Sequence, residues 1–327
     1  MKGKTYAKKI AYISVILVLV LVIIISGLRI LESTVFSKQQ DDEDLWNTGV
    51  YTVDGVAYLQ RTDVTVVMLL GIDELGKVTA SESYNNTGEA DMVTLLVFNE
   101  TTKKCDILCL NRDTMLEMPA LGIGGKEAGT FYGQLALAHT YGSGLKDSCK
   151  NTRTAVSDFL KGIQIDYYMA LNMDAIAILN DAVGGVQVNV TEDFSDVDDT
   201  IPMGEHTLMG EQALHYVRVR KDVGDEKNVS RMERQSEYMK NFLTAFKTAN
   251  EQEGFALEAY SSVTDYMVTD FTTKSISNML SRYGDYELGQ IFTPKGENVI
   301  KDGHYQFIVD ENDLERLALQ LFFEPRA

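Results

Sequence analysis

The longest apolar run comes first in the chain. Residues 10–28 carry no charge, and Val15 to Ile25 have no polar side-chain atom. As a helix, such a run spans about 28 Å, close to the roughly 30 Å of a bilayer's hydrocarbon layer. Lys2, Lys4, Lys8 and Lys9 precede it. The positive-inside rule then keeps residues 1–9 in the cytoplasm and puts the chain beyond 28 outside. No small-x-small cleavage site follows Leu28, and the run is long for a signal peptide, so it reads as an uncleaved anchor. Residues 29–63 turn polar and acidic (Asp41, Asp42, Glu43, Asp44) and read as an extracellular stalk.

From Val64 the pattern becomes that of a folded domain, 64–327. Val64–Leu70 is apolar but for Thr65 and ends in Gly71-Ile72-Asp73, as suits a strand buried on both faces. Met92–Phe98 and Cys105–Leu110 read as two more strands. Thr152–Leu160 has helical apolar spacing and a stop at Gly162. Tyr167–Leu171 is a strand, Asp174–Val183 a helix stopped by Gly184-Gly185, and Val186–Val190 a strand. Leu208–Val217 reads as a short helix. Ser230 opens a long one, with Glu233 at capping-box spacing. Helices are also expected at 274–283 and 311–323. Strands alternating with helices predict an α/β fold with a layered, mixed central sheet.

Composition narrows the chemistry. Acids outnumber bases 48 to 30 in 327 residues, a net charge of −18, which argues against a nucleic-acid partner held by general basicity. Cys105 and Cys109 share one strand, too far apart to bridge each other, and Cys-x3-Cys is a poor zinc site. Either could pair with Cys149; buried free thiols are the preferred reading. His139, His206, His215 and His304 have no ligand spacing. There is no P-loop, His-Glu-x-x-His or Gly-x-Ser-x-Gly.

Arginines are the exception to this bland picture. They stand at three element ends: Asn111-Arg112-Asp113-Thr114, Tyr216-Val217-Arg218-Val219-Arg220, and Arg231-Met232-Glu233-Arg234-Gln235. Arg231 and Gln235 are one turn apart at a helix start, where free N–H groups favour an anion. Guanidinium forks match phosphate oxygens in pairs. Asp73 and Asp91, at the ends of neighbouring strands, suit a hard cation that also takes phosphate oxygens.

These motifs, with Ala90-Asp91-Met92, Ile165-Asp166-Tyr167-Tyr168 and Ala182-Val183-Gly184-Gly185-Val186 in the same order, resemble the LytR–CpsA–Psr family over residues 64–245. The resemblance implies an α/β/α sandwich outside a bacterial membrane. It implies a phosphotransferase that moves a glycopolymer, such as teichoic acid or capsule, from a polyprenyl-pyrophosphate carrier to a peptidoglycan sugar hydroxyl, forming a phosphodiester. Carried over by position, the metal-binding acids are Asp73 and Asp91, holding Mg²⁺ or Mn²⁺. The pyrophosphate ligands are Arg112, Arg218, Arg220 and Arg231, with Gln235 beside them, and Arg112, Arg218 and Arg220 serve the chemistry. Three positions depart from the family pattern. Glu89 stands where Arg is common, Asn111 where Pro is, and Asn228 where an acid is, which leaves the base unassigned. A polyprenyl-pyrophosphate hydrolase and a non-catalytic surface protein that binds lipid-linked anions are the alternatives.

Overall fold

The computed structural model describes residues 51–327 except 83–85, 123–125, 220–222, 224–227, 253, 285, 302–303 and 327, and leaves some helix side chains undescribed, including those of Arg231 and Gln235. The expected anchor, 10–28, and most of the stalk lie outside these residues. Among the described residues no helix is long and apolar enough to cross a membrane.

In chain order the strands are β1 (Tyr51–Val53), β2 (Val56–Gln60), β3 (Val64–Ile72), β4 (Ala90–Asn99), β5 (Lys104–Leu110), β6 (Met115–Leu121), β7 (Glu127–Gln134), β8 (Tyr167–Asn172), β9 (Val186–Val190), β10 (Gly204–Leu208), β11 (Met267–Thr269), β12 (Glu287–Phe292), β13 (Gly296–Lys301), β14 (His304–Val309) and β15 (Phe323–Pro325). The helices are α1 (Lys146–Phe159), α2 (Asp174–Ala182), α3 (Glu211–Arg218), α4 (Asn228–Ala249), α5 (Phe255–Ser262), α6 (Thr273–Tyr283) and α7 (Glu311–Phe322), with 3-10 turns at Leu135–Thr140 and Thr264–Tyr266. The described residues form two compact units that alternate along the chain. One comprises 51–70, 80–169 and 286–327; the other comprises 71–79 and 170–285.

The first unit is built on a mixed sheet in the order β8-β3-β4-β5-β12. β4 and β5 are antiparallel, joined by a tight turn in which Asn99 Oδ1 accepts the Thr101 and Thr102 N–H groups. β12 joins β5 in parallel. Val66 to Leu70 and Met92 to Phe98, Thr94 included, are buried, as suits strands covered on both faces. Two features here differ from the sequence expectation. Residues 51–60, placed in the stalk, form the β1–β2 hairpin, and β15 pairs with β2, with Phe323 opposite Gln60. Residues 115–134, left without an element, form the antiparallel hairpin β6–β7, whose Leu116 and Met118 are buried.

The second unit contains the antiparallel pair β9–β10, the helices α2 to α6, and β11 beside the last residues of β8. Helix α2 ends where expected: Gly184 and Gly185 take positive φ angles of 84° and 89° and return N–H bonds to Asp181 and Asn180. The expected helix over 208–217 is shorter. Leu208 ends β10, Gly210 turns the chain at φ 53°, and α3 starts at Glu211. Helix α4 runs from Asn228 to Ala249, so Ser230 lies inside its first turn. All three cysteines are buried thiols and none is in a disulfide, as the preferred reading had them.

Candidate functional site

Sheet register assembles the first cluster. Pairing of Val93 with Leu110 across β4 and β5, continued two steps outward, sets Arg112 opposite Asp91, and Glu89 lies two residues further along the same face. The side chains meet accordingly. Arg112 donates to Asp91 Oδ1 through one terminal nitrogen and to Glu89 Oε2 through the other. Its Nε lies 3.6 Å from Asp113 Oδ1. One guanidinium therefore faces three carboxylates, all partly open to solvent.

The backbone around this cluster is fixed from several sides. Asn111 Oδ1 accepts the Asp113 N–H at 2.9 Å, closing an Asx turn. Ala136 N–H donates to Arg112 O at 3.0 Å and Leu135 N–H to Thr114 O at 2.8 Å. Phe307 N–H donates to Asp113 O at 2.8 Å. The acidic segment is held by buried His139. Its Nδ1 lies 2.8 Å from Gly88 O and so carries the proton, while Nε2 faces Cys149 Sγ at 3.9 Å. Gln134 Nε2 donates to Asp113 Oδ1 at 2.9 Å. Burial raises the Asp113 carboxyl above the usual range, Arg112 opposes this, and Glu89 adds to it.

A second cluster lies within the other unit. Asp73 follows β3 in a loop pinned by Met173 N–H to Glu74 O at 3.0 Å and by Asn172 Nδ2 to Gly76 O at 3.0 Å. Arg218, the last residue of α3, donates to Asp73 Oδ1 at 3.3 Å. Behind it Arg234, only 5 % exposed, binds the backbone at two points. Its Nε donates to Tyr216 O at 3.0 Å, and a terminal nitrogen donates to Val219 O. The other terminal nitrogen pairs with Glu192, and the guanidinium lies 5.4 Å over the Phe194 ring.

Of the expected site residues, Asp91 and Arg112 are thus partners within one unit, and Asp73 and Arg218 within the other. Arg220 lies outside the described residues, as do the side chains of Arg231 and Gln235; the backbone places Arg231 in the first turn of α4 and Gln235 one turn on. Among the described residues no group of three or more His, Cys, Asp or Glu side chains is arranged to hold a metal. Sequence reasoning assigned no role to Asp113 or Arg234, although each sits inside an arginine motif it had singled out. Position within those motifs was the available signal.

A mixed α/β protein with arginine–carboxylate clusters at the ends of strands and helices is the class these observations define. The sequence model of the LytR_cpsA_psr family matches residues 29–322, and the chain belongs to that family. It is 28% identical over 259 residues to the polyisoprenyl-teichoic acid–peptidoglycan teichoic acid transferase TagU of Enterococcus faecalis, covering 78% of each chain. It is 26% identical over 260 residues to biofilm regulatory protein A of Streptococcus mutans, covering 76% of this chain and 61% of that one. Among solved structures it resembles protein gbs0355 of Streptococcus agalactiae (TM-score 0.59, 26% identity, 80% of this chain and 87% of the other). The fold is also that of Bacillus subtilis TagV, with TM-score 0.57 at 21% identity over 80% of this chain and 96% of the other.

Proposed function

We propose that this chain is a phosphotransferase that moves a glycopolymer from a polyprenyl-pyrophosphate carrier to a peptidoglycan sugar hydroxyl, forming a phosphodiester. The observation that carries this reading is Arg112, a fork held at a strand end within reach of solvent and aimed by carboxylates. Family membership and relatives named as teichoic acid transferases support the same chemistry. In this reading Arg112, Arg218, Arg220 and Arg231, with Gln235, bind the pyrophosphate and stabilise charge on the leaving polyprenyl phosphate. The anchor at 10–28 keeps the domain, an α/β/α sandwich in this reading, outside the membrane and close to a lipid donor, raising the donor's effective concentration.

The donor set around Arg112 fits a divalent cation. Glu89, Asp91 and Asp113 outnumber one guanidinium, so an incoming pyrophosphate meets net negative charge unless a cation arrives with it. Mg²⁺ commonly takes one or two carboxylates and completes its shell with phosphate oxygens and water. Asp91 and Glu89 would hold it here; when bound it neutralises charge on the phosphates.

The test is reconstituted transfer from a lipid-pyrophosphate glycan to peptidoglycan oligomers. Arg→Ala at 112, 218, 220 or 231 is expected to lose charge-assisted bonds worth roughly 1.5–3 kcal/mol, or about 10- to 150-fold in donor binding or rate. EDTA should abolish turnover, and Mg²⁺ or Mn²⁺ restore it. Wild-type transfer by all four variants would refute the reading. Glycan release without an acceptor would replace it with hydrolysis.

A further inference from the structure

We infer that Asp113 is the general base that takes the proton from the acceptor hydroxyl, an inference that rests on Arg112 holding the donor's phosphates. The argument is one of geometry. Asp113 is joined to the phosphate-reading Arg112 by a single peptide bond, and its Oδ1 is anchored from two sides, by Gln134 at 2.9 Å and by the Arg112 Nε at 3.6 Å. Its Oδ2 accepts no hydrogen bond from the described residues. The carboxylate thus has one oxygen fixed and one available, beside the place where the phosphorus would be held. A base used in transfer must be within hydrogen-bond reach of the hydroxyl while held in position, and this arrangement supplies both.

The neighbouring acids are differently placed. Glu89 and Asp91 each accept directly from a terminal nitrogen of Arg112. Asp113 meets only the guanidinium's Nε, at the longer distance. The charged groups that face it are Arg112 from its own turn and Glu89 from the segment before β4; β7 contributes neutral Gln134, and β14 contributes the Phe307 N–H to the Asp113 carbonyl.

The step balances. The acceptor hydroxyl oxygen attacks the phosphorus that carries the glycan and forms the new P–O bond. The bond from that phosphorus to the bridging oxygen breaks, and polyprenyl phosphate leaves with the electron pair. The hydroxyl proton passes to Asp113 Oδ2 and from there to solvent.

Asp113→Asn separates chemistry from structure. The backbone contacts of residue 113 to Asn111 and Phe307 do not involve its carboxylate, and an asparagine Oδ1 can still accept from Gln134. With the full chain in liposomes, a lipid-pyrophosphate glycan and peptidoglycan oligomers, Asp113→Asn should leave the donor KM within about threefold and the melting temperature unchanged. Its kcat should fall by about 10²- to 10⁴-fold, and the acid limb of the kcat/KM pH profile should vanish. Asp113→Glu should recover part of the rate with a shifted acid limb. Wild-type kcat with the acid limb intact in Asp113→Asn would overturn the assignment. If Arg112→Ala in the same assay loses donor binding, only the base is refuted; if it too transfers normally, the reading of the site itself fails.

Discussion

Arg234 offers the largest effect that the described residues allow to be worked out. Replacing it by alanine removes the fork that joins Glu192, Tyr216 O and Val219 O, and empties the space over Phe194. The guanidinium is 5 % exposed and the Glu192 side chain 15 %, so solvent cannot replace the lost donors well. Removing one partner of a buried ion pair costs about 3–5 kcal/mol, because the other charge stays buried and alone. The two carbonyls belong to the same penalty and are not added to it. At the low end of the temperature scale for a long chain, about 2 °C per kcal/mol, melting should drop by roughly 6–10 °C. Arg234→Lys keeps the charge but has no planar fork, so its loss should be intermediate. A double-mutant cycle with Glu192→Gln isolates the pair: the cost of Arg234→Ala should shrink by roughly 0.5–3 kcal/mol when Glu192 is already neutral. Differential scanning calorimetry or urea unfolding of the four proteins measures this. A melting shift below 2 °C, or strict additivity in the cycle, would refute the reasoning. Transfer should also suffer, because Tyr216 and Val219 flank Arg218.

Three further outcomes are expected. All three cysteines are buried, and burial pushes the Cys105 thiol well above its usual range, so a thiol reagent at pH 8 should label no cysteine of the native protein and three after denaturation; fast native labelling would contradict this. Arg61 holds Asp63 in a two-point fork, at 2.8 and 2.7 Å, and Thr101 adds a hydroxyl bond, which lowers the Asp63 carboxyl to about 2. A depressed carboxylate stabilises above its unfolded value of about 3.9 and loses that contribution as pH falls, so the stability gap between wild type and Asp63→Asn should be full at pH 6 and close between about 4 and 2. Urea melts across that range check it, and a gap unchanged at pH 2 is the contrary result. For the proposed topology, protease added to intact cells should remove the domain and spare an N-terminal tag; full protection would reverse the orientation.

Local composition settled much of this protein. Val64–Leu70 and Met92–Phe98 read as buried strands because each is apolar but for one threonine, short, rich in β-branched residues and bounded by turn residues. Gly184-Gly185 had to stop α2, because its N–H groups reach back to Asn180 and Asp181 only at positive φ. The arginine motifs were visible as unusual charge in an acidic chain. Tertiary structure decided what no local window contains. Tyr51, in a segment that reads as stalk, donates to Glu315, 264 residues away, from a strand paired with β2, and β15 returns to pair on the other side of β2. The hairpins β6–β7 and β13–β14 have mixed sequences whose strand character comes from pairing and not from period. Arg234 and Arg231 look equivalent in sequence, yet the carbonyls of Tyr216 and Val219 and the carboxylate of Glu192 bury Arg234 as a clamp. Asp113 looked like any turn aspartate until β7 brought Gln134 to one of its oxygens. Hydrophobic pattern is a property of neighbouring residues and can be read along the chain; the partner of a charge is set by which strands lie side by side, and only the folded chain determines that.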